Sequence, residues 1–215
     1  MGDEEIQWQL QASELARYLG REGIDSPSVL AAIARVPRHH FLPEELRERA
    51  YEDVALPIGE DQTISQPFIV AYMTALIDAG PGRRVLEVGT GSGYQAAVLD
   101  ELGAEVTSVE IVPALAERAR EALRTSGHAG VRLLVGDGSL GWAASAPYDG
   151  ILVTAAARAV PEALLEQLSP GGRMAIPLDD GSWSQWIWRL VKAKDGTIAR
   201  ERMLAVRFVP MTGAG

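Results

Sequence analysis

Three glycines at alternate positions, Gly89, Gly91 and Gly93, directly follow a short apolar run made by Val85, Leu86 and Val88. No other stretch of the chain restricts the fold so tightly. An apolar run of this length reads as a strand buried on both faces of a parallel sheet. The glycines then turn the backbone, and Ala96, Ala97, Val98 and Leu99 continue as a helix. A strand that passes through glycines into a helix N-terminus brings bare backbone close to a ligand, and nucleotide-like cofactors sit in such turns. Gly91, Gly93 and Ala96 also fit G-x-G-x-x-G/A, so the glycines by themselves leave a dinucleotide open. Glu87 extends the pattern to E-x-G-x-G-x-G. A second acid, Glu110, ends the next apolar run 21 residues after Gly89. Near that spacing a carboxylate can accept hydrogen bonds from both hydroxyls of a ribose.

The rest of the chain is organised to suit that turn. Residues 4–20 read as an amphipathic helix with Ile6, Leu10, Leu15 and Leu19 near one face. Ser26-Pro27 reads as an N-cap and first position of a second helix, which carries Val29, Leu30, Ile33 and Val36 and stops at Pro37. Residues 38–59 read as irregular. A helix is expected from Ser65 to about Ala79, with Pro67 in its first turn, where a missing N–H costs little. Strands at Val106–Glu110, Val131–Val135, Ile151–Thr154 and Met174–Leu178 alternate with helices at Pro113–Thr125 and Pro161–Leu168, and a turn is expected at Ser169–Gly172. That alternation calls for a doubly wound, mostly parallel sheet with right-handed crossovers. Beyond Trp183, Trp186 and Trp188, the turn Lys194-Asp195-Gly196 and a last strand at Met203–Val209 suggest an antiparallel pair at one sheet edge. The expected division is an N-terminal helical and loop cap over 1–64 and the α/β unit over 65–215.

Composition narrows the chemistry. The 215 residues include no cysteine and three histidines, His39, His40 and His128. Disulfides, a thiol nucleophile and thiolate metal sites are therefore excluded. His39 and His40 are adjacent, and on an extended segment they would face opposite ways, so no metal site is expected. Neither a Gly-x-Ser-x-Gly elbow nor a P-loop is present. A formal net charge of −9 argues against nucleic acid as a partner. No apolar run approaches the ~20 residues of a membrane span, so a cytoplasmic protein without a membrane partner is expected. With few candidates for base-assisted attack, a reaction that needs no strong protein base is the better expectation.

Two further sites stand out. Asp137, in Gly136-Asp137-Gly138, falls at the carboxyl edge of the sheet beside the glycine turn. It can accept a hydrogen bond from an adenine amine, or it can bond its own turn. Gln62, Thr63, Ser65 and Gln66 gather amides and a hydroxyl just before a helix start. Such a set can orient a carboxylate, although an N-cap role for Ser65 would also explain it.

At these residues the chain resembles the protein-L-isoaspartate (D-aspartate) O-methyltransferase family. The E-x-G-x-G-x-G form is seen in methyltransferases that use S-adenosylmethionine. Val36-Pro-Arg with Phe41-Leu-Pro, Leu56-Pro-Ile-Gly, Gln62-Thr-Ile-Ser-Gln-Pro, Gly136-Asp-Gly, Gln167-Leu-Ser-Pro-Gly-Gly-Arg and Val206-Arg-Phe-Val-Pro carry the resemblance along nearly the whole chain. It implies a class I S-adenosylmethionine-dependent methyltransferase (Rossmann-like) fold, with N-terminal helices and an antiparallel C-terminal edge. It also implies that Ser65 is the active-site serine. Gln62 and Thr63 would close over the cofactor, and Glu87 with the Gly89, Thr90, Gly91, Ser92, Gly93 turn would carry its methionine portion. Glu110 would hold the ribose, and Asp137 with Gly138 the adenine. Thr212 sits where the family's tail can approach the site. Asp179-Asp180-Gly181 departs from the family's usual glycine after Pro177, as does the tryptophan-rich edge.

The implied activity is methyl transfer from S-adenosylmethionine, leaving S-adenosylhomocysteine, to the free α-carboxylate of L-isoaspartyl and D-aspartyl residues in damaged proteins and peptides. Such a carboxylate, with a pKa near ~3.3–3.7, is already an anion at pH 7. The protein needs only to align it and exclude water. A monomer is expected. The alternatives are a related carboxylate O-methyltransferase acting on an aspartate of a peptide natural product, a cofactor-binding protein without transferase activity, and an NAD enzyme.

Overall fold

A computed structural model of the chain describes residues 2–179, 181 and 184–213. The N-terminal third is helical: α1 (Asp3–Arg21), α2 (Pro27–Arg35), two 3₁₀ turns (Arg38–Phe41 and Glu44–Arg49), and α3 (Pro67–Leu76). A small hairpin of β1 (Leu56–Gly59) and β2 (Gln62–Ile64) leads into α3. The rest alternates β3 (Arg84–Val88), α4 (Tyr94–Glu101), β4 (Glu105–Glu110), α5 (Pro113–Thr125), β5 (Arg132–Val135), β6 (Tyr148–Val153), α6 (Glu162–Gln167) and β7 (Leu168–Asp179). The chain closes with β8 (Gln185–Lys192) and β9 (Ile198–Val206).

The main sheet has seven strands in the order β5-β4-β3-β6-β7-β8-β9. Pairing is parallel from β5 through β7 and antiparallel for β7–β8 and β8–β9. The expected doubly wound sheet with an antiparallel edge is present. Strand β3 lies where the order reverses, between β4 and β6, so the carboxyl end of β3 is the topological switch point at which such sheets bind ligands. Val85, Leu86, Glu87 and Val88 are all buried, the signature of a strand covered on both faces. One apolar cluster joins Leu19 and Ile33 of the N-terminal helices to Val85 and Leu99 beside the switch point. A second cluster, with Leu86, Ile151 and Met174, fills the other face.

Several details differ from the sequence expectation. Leu15 and Leu19 of α1 are buried as expected, joined by Ala12 and Ala16, but Ile6 and Leu10 in its first turns are 45% and 59% exposed. Ser26 occupies the N-cap of α2 without a capping hydrogen bond from its side chain. Helix α3 begins at Pro67, so Ser65 is not its cap. The segment before it is not irregular throughout, since β1 and β2 pair around a two-residue turn. Residues 169–172 form an irregularity inside β7, where the register passes from Tyr148–Leu168 to Gly150–Arg173. The last strand runs Ile198–Val206, earlier than expected.

His39 and His40 also depart from the extended geometry. Their 3₁₀ turn brings the ring centroids to 4.4 Å, edge to face. His128 is pinned to Asp100 at 2.8 Å, on the flank of α4. At the sheet edge Trp186 lies under the Arg202 guanidinium at 4.5 Å, and Trp188 packs against the second core cluster. Trp183 and Asp180 lie outside the described residues.

Candidate active site

One cleft opens at the switch point, with about 840 Å³ of empty space including its mouth. The segments that follow β3, β4, β5 and β6 all contribute to it: Val88–Ser92, Glu110–Val112, Gly138–Ser139 and Thr154–Ala155. Residues 62–65 and the tail residues Val209, Pro210, Met211 and Thr212 complete the wall. Ten of the twelve expected site residues line this cleft: Gln62, Thr63, Ser65, Glu87, Gly89, Thr90, Gly91, Ser92, Glu110 and Gly138.

Gly93 and Asp137 do not. Gly93 is the N-cap of α4 with φ 91°, and a Cβ there would press on Leu123 and Ala119, so it serves helix packing. Asp137 turns back on its own loop: Oδ1 accepts from the Ser139 amide at 2.9 Å and from the Ser139 hydroxyl at 2.7 Å. Gly213 of the tail lies directly against that carboxylate.

The glycine turn has a steric reason at its first position. Gly89 has φ 93°, and a Cβ on it would stand 2.4 Å from Thr154 Oγ1. That hydroxyl donates to the Val88 and Gly89 carbonyls at 3.0 and 2.6 Å, so the turn after β3 is laced to the end of β6. Two acids face the turn. Glu110 is 4% exposed; its Oε2 accepts from the Gly91 amide at 2.7 Å and its Oε1 from the Val112 amide at 2.9 Å. Glu87 is fully buried, and its Oε2 accepts from the Ser108 hydroxyl, which in turn meets Thr90 Oγ1. Its Oε1 has no hydrogen-bond partner among the described residues. Loss of water pushes the Glu87 carboxyl up to about 8, opposed by the Ser108 hydrogen bond and reinforced by the Glu110 charge. A buried carboxyl oxygen on a residue that lines the cleft, without a partner among the described residues, is a group that a ligand donor would satisfy.

Ser65 sits between this cleft and a second one. Thr63, Ser65, Thr154 and Val209 line both, and the second is bounded by Phe68 and Ile69 of α3 and by residues 204–208. The half-buried Ser65 hydroxyl makes no hydrogen bond among the described residues, while its backbone is held from behind. Arg38, fully buried, donates from Nη2 to the Ser65 carbonyl at 2.9 Å and from Nε to the Ala50 carbonyl at 2.8 Å. Its guanidinium lies 4.8 Å from the centroid of Tyr94, a ring that itself lines the cleft. Burial lowers Arg38 to about 10, which leaves it charged at neutral pH. On the other flank, Asp53 accepts from the Phe68 amide at 2.8 Å and from Gln66 Nε2 at 2.9 Å. Asp53 thus does the capping that Ser65 was a candidate for.

The residues 10–215 match the family model described as protein-L-isoaspartate(D-aspartate) O-methyltransferase. The chain belongs to that family. Protein-L-isoaspartate O-methyltransferase 1 of Anaeromyxobacter sp. (strain Fw109-5) is 52% identical over 210 residues, covering 97% of this chain and 99% of the relative. A solved protein-L-isoaspartate O-methyltransferase superposes with a TM-score of 0.86 at 32% identity, covering 93% of this chain and 65% of that one. A protein-L-isoaspartate O-methyltransferase homologue from Plasmodium falciparum, solved with S-adenosyl-L-homocysteine, shares the fold at a TM-score of 0.82 and 24% identity, over 94% of this chain and 98% of that one.

Within this isoaspartate methyltransferase frame, sequence reasoning missed several residues. Arg38 holds the Ser65 carbonyl from 27 positions away and Asp53 the Phe68 amide from 15, which no periodicity reveals. Ile111, 36% exposed beside Glu110, offers the cleft an apolar face. The signal for it was present: a large apolar residue directly after an acid that ends a parallel strand. Gln95, held by Nε2 to Thr74 Oγ1 at 2.8 Å, lines the floor.

Proposed function

We propose that the switch-point cleft binds S-adenosylmethionine and that Ser65 aligns against it the α-carboxylate of an isoaspartyl residue entering from the second cleft. The activity is that of the family, methyl transfer to L-isoaspartyl and D-aspartyl residues of damaged proteins and peptides. The observation that carries the residue assignment is the position of Ser65, on the wall common to both clefts with its hydroxyl uncommitted.

The donor set suits the cofactor. Glu87 and Glu110 offer carboxylate oxygens to an ammonium or sulfonium cation and to a ribose diol. The backbone from Gly89 to Ser92 can approach a ligand carboxylate closely, and Ile111, Val112 and Leu115 give an apolar face to adenine. When bound, S-adenosylmethionine supplies an electrophilic methyl group on a positive sulfur. What this chain contributes is placement. Ser65 donates a hydrogen bond to one oxygen of the incoming carboxylate, which leaves the other oxygen to attack. Arg38 fixes the Ser65 carbonyl and Asp53 the helix start that follows it, so the Ser65 hydroxyl is oriented before the substrate arrives. Gln62, Thr63 and Met211 exclude water from above. No side chain has to remove a proton, because the substrate is ionised at pH 7.

A cytoplasmic monomer with no nucleic-acid partner completes the proposal, supported by the cysteine-free composition and the net charge of −9. No helix among the described residues is long and apolar enough to cross a membrane. Ser65→Ala should lower kcat for an isoaspartyl peptide by about 10–150-fold, the equivalent of about 1.5–3 kcal/mol for a lost hydrogen bond to a charged group. Thermal stability should be unchanged. An unaltered kcat would refute the role given to Ser65.

A further inference from the structure

Away from the cleft, three metal-ligating side chains converge where α1 meets the first 3₁₀ turn. One carboxylate oxygen of Glu5 and one imidazole nitrogen each of His39 and His40 lie within 4.8 Å of one another. The histidines are not loose surface groups. His39 is 5% exposed, stacked on Trp8 at a ring-centroid distance of 4.7 Å, and hydrogen-bonded through Nδ1 to the Tyr51 hydroxyl at 2.8 Å. When Nδ1–H donates to that oxygen, Nε2 keeps the lone pair a metal takes. An imidazole oriented by a hydrogen bond from its second nitrogen is the usual support of a metal ligand. His40 Nδ1 is buried with no hydrogen-bond partner among the described residues, an unexplained cost unless something binds it. The surrounding depression is lined by four carboxylates, Glu4, Glu5, Glu44 and Glu48, against one cation, Arg47, so its field draws positive ions.

We propose that Glu5, His39 and His40 form a binding site for a divalent transition-metal ion, of the zinc or nickel class. Two imidazoles and one carboxylate match the preferences of these ions, which take nitrogen ligands at about 2.0–2.1 Å. Ligands at that radius can be at most ~4.2 Å apart, close to the spacing these atoms already have. Water would complete the coordination. The ion would tie α1 to the turn that carries Arg38, two elements that otherwise meet through packing. The site is independent of the methyltransferase reading, because binding is measured without cofactor or substrate.

The test is calorimetric titration of the full, untagged chain with ZnCl₂ and separately with NiCl₂, repeated for Glu5→Gln, His40→Ala and His128→Ala. Glu5→Gln alters an exposed side chain and leaves the fold intact; circular dichroism confirms the same for His40→Ala. The expected result is one ion per chain, an affinity at least about tenfold weaker in Glu5→Gln and in His40→Ala, and no change in His128→Ala. Added metal should also raise the thermal midpoint of the parent and of His128→Ala but not of the other two. No binding at millimolar metal would overturn the proposal. So would equal affinity in the parent and Glu5→Gln.

Discussion

At the residue scale, the two acids of the cleft behave differently because their surroundings do. Glu110 spreads its charge over two backbone amides. Glu87 has one hydroxyl donor and an unpartnered second oxygen, and burial lifts it to about 8. The sign of its effect follows. An unfolded glutamate ionises near 4.5 while the folded one keeps its proton to about 8, so the folded state loses stability as pH rises between those values. A cation in the cleft favours the ionised form, so S-adenosylmethionine should bind with release of a proton and gain affinity from pH 6 to pH 8. In Glu87→Gln, which keeps the acceptor for Ser108, both dependences should flatten. Calorimetry in buffers of different ionisation enthalpy checks this; an unchanged pH profile in the variant would remove Glu87 from the binding step.

At the element scale, the β2–α3 junction determines where Ser65 stands. The helix N-terminus is satisfied from outside by Asp53, and Arg38 holds the carbonyl one residue before the N-cap Gln66. Asp53→Ala should cost about 1 kcal/mol, typical of a lost cap, and lower the thermal midpoint by about 2–4 °C. It should also reduce turnover by loosening Ser65. Asp53→Asn, which retains an acceptor for the Phe68 amide, should recover most of both. A full loss of stability without a change in turnover would mean the cap is not coupled to the site. This junction also shows what could be read in advance. Pro67 placed the helix start to within two residues, at Ser65 rather than Pro67 itself, and the amide and hydroxyl cluster before it drew attention to Ser65. The β1–β2 hairpin was not legible, because its turn residues Glu60 and Asp61 both take positive φ, 52° and 54°. A two-residue turn of that kind is usually signalled by Asn-Gly or Asp-Gly. Here two acids adopt it, next to the cleft, where such conformations are often retained.

At the scale of the whole molecule, the parallel half was legible because each β-α-β unit repeats the same pattern: a short apolar strand, a turn and an amphipathic helix. Glu87, Gly89 and Glu110 could be placed at the carboxyl edge because every parallel strand ends there. Contacts between distant segments were not legible. The tail is pinned by the Met211 amide to the Ala156 carbonyl at 2.7 Å, and the Ala156 amide to the Val209 carbonyl at 2.9 Å, which sets Met211 and Thr212 into the cleft wall. The same tail puts Gly213 on Asp137, whose sequence context pointed to a ligand with its own turn as the alternative. These placements leave a catalytic apparatus made of alignment rather than proton transfer. Its most direct test is the transfer of labelled methyl groups to an isoaspartyl peptide and to its aspartyl twin of identical sequence. The account predicts label on the isoaspartyl peptide alone, because only there is a free α-carboxylate held at Ser65. Equal labelling of both peptides, or of neither, would contradict it.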